Sequence, residues 1–226
     1  MKQEFKCQGG ATLDVDWRDN DSFASCSTDN HIYVCKLGQS EPLRKYSGHN
    51  DEVNAVKWDP TGTLLASCSD DCTAKVWSVD SATCILDLGG DGRTEGHSKE
   101  IYTIKWSPTG PGTANPNSKL LLASASFDTT VKLWDVHANG GKGQCYATLE
   151  GHQAPIYSIA FSPNGEYLVS GSIDNSVMIW SVKDGGTLVK KHKGEGEIFE
   201  VAWNAEGNRV AACFSNNTLA VLDFRA

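Results

Sequence analysis

The chain has 226 residues, of which 39% are hydrophobic and 21% charged, an ordinary globular mix with room for one large β-domain or two small ones. A formal net charge of −8 lacks the basic stripe that a grip on phosphate needs, so no direct nucleic-acid partner is expected. No apolar run reaches the roughly 18 residues of a membrane span, and the start MKQEFKCQGG has no apolar signal core, so the reading is an intracellular chain with no membrane partner.

In chain order the sequence is five copies of one pattern. Residues 12–37, TLDVDWRDNDSFASCSTDNHIYVCKL, form a worn first copy. It keeps Asp29, has Cys35 where later copies have Trp, and no Gly-His precedes it. The clear copies are residues 48–77, 96–134 and 151–180. They open on Gly48-His49, Gly96-His97 and Gly151-His152, and Asp71, Asp128 and Asp174 each stand six residues before Trp77, Trp134 and Trp180. Residues 197–224 are a worn last copy, with Asn216 for the Asp, Leu222 for the Trp and Gly194 without a His.

Each copy predicts three short antiparallel strands, such as IYSIAF, YLVSGS and SVMIWS, parted by turn residues such as SPNG and DN. A weaker fourth strand follows, as in PLRKYS, CILDL, CYATL and TLVKKH. Four strands at a period of forty-odd residues with Gly-His and Trp-Asp marks make one blade of a WD40 β-propeller. The fold class is therefore all-β, with about five four-stranded blades forming an open arc or part of a larger ring. The repeats fall near 7–46, 47–94, 95–149, 150–192 and 193–226 of a single partial propeller domain. Residues 2–6 are expected to be an outer strand of a preceding or the last blade.

Two insertions interrupt the pattern. TGPGTANPNSK at 109–119 reads as a surface loop, and GGDGRTE near 89–95 delays the second Gly-His. The basic cluster Lys183, Lys190, Lys191, His192 and Lys193 reads as a solvated edge strand. Cys26 and Cys68 fall where other copies have Ala125 and Gly171, which marks a small-residue packing site. Cys68 and Cys72 are spaced like half a zinc site, but no second pair follows. No metal and no cofactor are expected.

Each clear copy supplies His, Ser and Asp. A catalytic triad is needed once, whereas this set recurs with each Trp, and no G-x-S-x-G elbow is present. A buried Trp has one N–H donor that needs an acceptor. The reading is a structural chain from Trp to Ser to His to Asp: His49, Ser67, Asp71, Trp77; His97, Ser124, Asp128, Trp134; and His152, Ser170, Asp174, Trp180. Either Ser of each S-x-S pair fits. No residue is assigned a catalytic role.

Register also proposes a partner-binding rim. The residue after the first apolar position of each first strand is Leu13, Asn54, Tyr102, Tyr157 or Phe199. The residue before each turn Asp or Asn is Thr28, Asp70, Phe127, Ile173 or Ser215. Asn54, Tyr102, Tyr157, Phe199, Asp70, Phe127 and Ile173 are the candidates for contact with a protein partner. Burial of Tyr102 and Tyr157 against neighbouring blades is the competing expectation.

The stretches TLDVDW, FASCSTD, EVNAVKWDPTG, LLASCSDD, EIYTIKWSPTGP with NPNSK, LLASASFD, IYSIAFSP, GEIFEVAWNAEG and VLDFR resemble the transducin beta-like, F-box-like/WD-repeat family over nearly the whole chain. GGDGRTE and the loop GGKGQ at 140–144 depart from its pattern. The resemblance implies the C-terminal part of an eight-bladed propeller. It further implies a nuclear scaffold of a nuclear-receptor corepressor and histone deacetylase complex, with corepressor subunits as partners. The family's N-terminal LisH and F-box-like parts have no counterpart here. A scaffold or substrate-recognition role in another process such as ubiquitin ligation is the alternative.

Overall fold

A computed structural model describes residues 3–89 and 95–225. Most of GGDGRTE therefore lies outside the described residues. Nineteen strands occur among the described residues, arranged in five sheets of consecutive antiparallel strands, four sheets of four and one of three. They fall in two compact units, Met1–Ile104 and Lys105–Ala226.

The first unit holds two complete sheets. One is β1 (Thr12–Trp17), β2 (Ser22–Ser27), β3 (His31–Lys36) and β4 (Arg44–Ser47). The other is β5 (Val53–Trp58), β6 (Leu64–Ser69), β7 (Ala74–Ser78) and β8 (Cys84–Leu88). β9 (Ile101–Trp106) spans the division. In the second unit β10 (Leu121–Ser126), β11 (Val131–Asp135) and β12 (Gln144–Leu149) continue from β9. Next come β13 (Ile156–Phe161), β14 (Tyr167–Ser172), β15 (Ser176–Ser181) and β16 (Thr187–Lys193). β17 (Ile198–Trp203), β18 (Arg209–Phe214) and β19 (Leu219–Asp223) form the three-stranded sheet.

Burial explains why the strands differ in pattern. The second and third strands of the clear copies are covered on both faces, so β10 (LLASAS) and β15 (SVMIWS) are buried throughout. Their sequences run apolar or small without alternation, as doubly covered strands do. Outer strands have one wet face, and β12 (QCYATL) alternates accordingly. β16 is almost wholly exposed and carries Lys190, Lys191, His192 and Lys193, whereas Lys183 lies in the turn before it; Lys190 Nζ donates to the Asp223 carbonyl at 2.8 Å.

Sheets stack where second-strand residues are small. A Cβ on Gly171 would come within 2.5 Å of Ile198 Cγ2 and 2.9 Å of Val201 Cγ1, so β17 packs on the bare backbone of β14. Cys26, Cys68 and Ala125 hold the corresponding place and are fully buried. Polar bonds between first strands add to this packing. In the first unit Asp14 accepts from Val56 N at 3.0 Å and from the Lys57 ammonium, and Asp16 accepts from Trp58 N at 2.7 Å. In the second, Val201 N donates to Ser158 Oγ at 3.1 Å.

Residues 3–6 form no strand, contrary to the expectation of an outer strand. The segment lies along the first sheet instead. Gln3 Nε2 donates to the Gln39 carbonyl at 2.7 Å, Gly38 N donates to Gln3 Oε1 at 2.8 Å, and the Phe5 ring meets Phe23 edge-on at 5.2 Å. Side-chain bonds replace a ladder because Gln3 caps a turn rather than pairing with a strand. The 109–119 insertion is a loop pinned by Asn115, whose Nδ2 donates to the carbonyls of Pro108 at 2.8 Å and Pro163 at 3.0 Å.

Candidate functional site

Two sets of residues stand out at the strand ends, and they differ in kind. The first is the repeated polar chain. In the second sheet Trp77 Nε1 donates to Ser67 Oγ at 2.8 Å, Ser67 Oγ lies 2.7 Å from His49 Nε2, and His49 Nδ1 lies 2.9 Å from Asp71 Oδ2. The fourth sheet repeats it: Trp180 Nε1 to Ser170 Oγ 2.8 Å, Ser170 Oγ to His152 Nε2 2.7 Å, His152 Nδ1 to Asp174 Oδ2 3.0 Å. The Ser oxygen accepts from the indole, so its proton goes to Nε2 and the imidazole proton sits on Nδ1. In the third sheet Trp134 Nε1 donates to Ser124 Oγ at 2.9 Å, and Asp128 accepts from Thr130 N at 2.9 Å. His97 is buried.

The other Ser of each S-x-S pair has a separate task. Ser172 Oγ donates to the Ala154 carbonyl at 2.9 Å and accepts from Asp174 N at 3.0 Å, so it fixes the tight turn rather than the indole. That turn places the residue after the Asp or Asn in the left-handed region in every copy: Asn30 (φ 69°), Cys72 (φ 67°), Thr129 (φ 73°), Asn175 (φ 66°) and Asn217 (φ 66°).

Electrostatics follow from burial and donors. Burial pulls the Asp174 carboxyl upward, but hydrogen bonds from Ser176, Gln153 N and His152 outweigh it and hold it at about 2. Asp71 is likewise held low against burial by His49, Thr73 and Asn50 N. Burial drives His152 below its ordinary value, over the upward pull of Asp174. His152 to Asp174 is thus a neutral imidazole donating to a carboxylate, not an ion pair.

Ser, His and Asp here have the spacing of a hydrolytic triad, yet they lack its access. Ser170 is 0% exposed and its oxygen already takes the Trp180 indole proton. A nucleophile must present a free oxygen to a substrate carbonyl, and neither Ser170 nor Ser67, also fully buried, does so.

The worn first copy keeps the chain by other means. Gln8 Nε2 donates to Ser25 Oγ at 2.5 Å, and Gly9 N donates to Asp29 Oδ2 at 2.6 Å. Asn50 N does the latter for Asp71 at 2.9 Å. Gln8 therefore stands in the His place and Cys7 in the Gly place, though no Gly-His is legible there. An amide four residues before the first strand of its copy is too weak a signal to find from one sequence.

The second set is the strand-start residues. Pairing of β1 with β2 skips Leu13, β5 with β6 skips Asn54, β13 with β14 skips Tyr157, and β17 with β18 skips Phe199. Each is the extra residue of a β-bulge, which leaves it unpaired and re-aims its side chain. In the first unit Asn54 Nδ2 is spent on Asp70 Oδ1 at 2.6 Å and on the Ile101 carbonyl at 3.0 Å, which ties Asn54 and Asp70 into the scaffold. Tyr102 is 42% exposed, not buried. In the second unit the rings of Phe127 and Tyr157 lie 5.5 Å apart, and those of Tyr157 and Phe199 lie 6.0 Å apart at 88°. Phe199 is 49% exposed and Tyr157 half-buried between the other two. Ile173 sits in the turn after β14, its N–H donating to the Pro155 carbonyl at 3.1 Å.

Comparison with known proteins agrees with the repeat pattern. The family described as WD domain, G-beta repeat matches residues 40–78, 91–135 and 143–181. The chain is 59% identical over 99% of its length to WD40 repeat-containing protein HOS15 of Arabidopsis thaliana, of which it covers 35%. It is 55% identical over 99% of its length to the F-box-like/WD repeat-containing protein TBL1X of Homo sapiens, covering 37% of that protein. The human TBL1Y protein of the same description is 55% identical over 98% of the chain, with 40% of its own length covered. The chain thus spans little more than a third of the curated relatives it matches.

Proposed function

We propose, for a chain that belongs to the WD domain, G-beta repeat family, a non-enzymatic protein-interaction scaffold in a nuclear corepressor and histone deacetylase complex, acting in transcriptional repression. The observation that carries an interaction role is the aromatic row Phe127, Tyr157 and Phe199, the first in the turn after β10 and the other two at bulged strand starts, all partly open to solvent. Aromatic side chains that keep a rigid exposed face anchor protein partners. The buried Ser oxygens speak against hydrolysis. The nuclear corepressor assignment rests on the likeness to the F-box-like/WD repeat-containing proteins. The expected partners are protein subunits of such a complex.

The test is binding of a nuclear corepressor fragment to the purified chain, with Tyr157→Ala and Phe199→Ala compared by thermal melting to show intact folding. An anchor of this type is worth about 2 kcal/mol or more, some thirty-fold in affinity. Unchanged binding by both folded variants would remove the aromatic row from the interface. Failure of the unsubstituted chain to bind would remove the corepressor assignment.

A further inference from the structure

We propose that Cys7 and Cys35 are a modification site, a thiol pair that peroxide converts to a reversible disulfide. Their sulfurs lie 3.9 Å apart. That closeness has a structural cause. In the second sheet a Cβ on Gly48 would stand 3.1 Å from Trp77 Cη2, and in the fourth a Cβ on Gly151 would stand 3.1 Å from Trp180 Cη2. Glycine and tryptophan therefore share one space, which the indole fills. In the first sheet Cys35 holds the Trp place and Cys7 the Gly place, and the room the indole gives up is taken by two thiols that face each other.

The pair is built asymmetrically. Cys35 is fully buried on β3, paired to Phe23 of β2, and burial pushes its thiol up to about 12. Cys7 is partly exposed, in a segment that belongs to no strand. Closing 3.9 Å to the roughly 2 Å of an S–S bond is a movement such a segment allows. Other cysteines are set differently. Cys26, Cys72, Cys84 and Cys145 each turn the thiol toward a main-chain carbonyl.

The chemistry balances with hydrogen peroxide as oxidant. The Cys7 sulfur attacks one peroxide oxygen, the O–O bond breaks, and the departing hydroxide leaves as water with the thiol proton. The Cys35 sulfur then attacks the Cys7 sulfenic acid. An S–S bond forms, the S–O bond breaks, and hydroxide takes the Cys35 proton as a second water. Two thiols lose two electrons and one peroxide gains them.

The experiment is a peroxide titration of the whole chain, followed by tryptic mapping without reductant. Free thiols should fall from eight to six, with a mass loss of about 2 Da. A peptide linking Cys7 to the segment 19–36 should appear, with fragmentation placing the bond on Cys35 rather than Cys26, and dithiothreitol should reverse it. Cys35→Ala should stop at a Cys7 sulfenic acid that a dimedone probe traps, and Cys7→Ala should leave Cys35 unmodified. Oxidation confined to exposed Cys84 or Cys213 with no linked peptide would overturn the proposal. So would equal modification of Cys35 in Cys7→Ala. If either variant fails to fold, mapping of the unsubstituted chain decides.

Discussion

Replacing Ser170 with Ala tests whether the polar chain holds its sheet together. The lost oxygen serves two buried partners, accepting from Trp180 Nε1 at 2.8 Å and reaching His152 Nε2 at 2.7 Å. Both partners are almost completely buried, so water does not replace it. Each orphaned group costs about 1–3 kcal/mol, which puts the substitution near ~3 kcal/mol. Little of that is cavity, since only one oxygen is removed. Urea unfolding should show a lower midpoint with the slope unchanged. Trp180→Phe removes the indole donor, so Ser170→Ala in that background should cost about 1 kcal/mol less than alone. A single cost below about 1 kcal/mol, or additivity within about 0.5 kcal/mol, would refute an energetic role for the chain.

Acid should destabilise the chain in two stages. His152 titrates below its ordinary value when folded and near 6.5 when unfolded. Its contribution is full above about pH 6.5 and is lost as pH falls, because the unfolded state then binds the extra proton. Asp174, moved from 3.8 to about 2, adds a loss of about 2 kcal/mol that develops between roughly pH 5 and pH 2. Thermal midpoints measured from pH 8 to pH 4 should fall, and a flat or rising series would contradict the neutral buried imidazole. Thr129 is a β-branched residue at φ 73°, where three other copies use Asn. Thr129→Asn should stabilise by about 1 kcal/mol in chemical unfolding, and a loss of stability would show that the threonine side chain contributes something the turn geometry does not explain.

The fold was legible because blade chemistry repeats. Trp, Ser and Asp recur at fixed spacing behind a Gly-His, and strand periodicity supplied the rest. The choice between Ser170 and Ser172 was not legible, since both are two-residue neighbours on one face of β14 and only register decides which meets the indole. The bulges were visible only as a position that changes type between copies. Nothing in the sequence says that Asn54 is consumed by Asp70 while Tyr157 keeps company with two rings. The strand expected at residues 2–6 came from their place before the first copy alone, and the bonds of Gln3 to Gly38 and Gln39, which no local pattern announces, join points thirty-odd residues apart.

The worn copies show what constrains a blade. In the last copy the Ser place is Ala212, the Trp place Leu222 and the His place Glu195, so donor, relay and acceptor are lost together. A Cβ on Gly194 would still meet the Phe214 ring at 2.2 Å, so the glycine persists for a different aromatic. In the first copy Ser25 and Asp29 remain, and Gln8 and Gly9 restore their partners. Neither copy leaves the arrangement half built, as expected when each orphaned buried group costs about 1–3 kcal/mol. The same logic governs volume: Gly with Trp, or Cys with Cys, fills one space. Variation between copies is therefore paired where side chains bond or bury each other, as Asn54 with Asp70, and free where the bulge leaves a ring exposed, as at Phe199. That division lets Tyr157 and Phe199 change their chemistry without unsettling the strands that carry them.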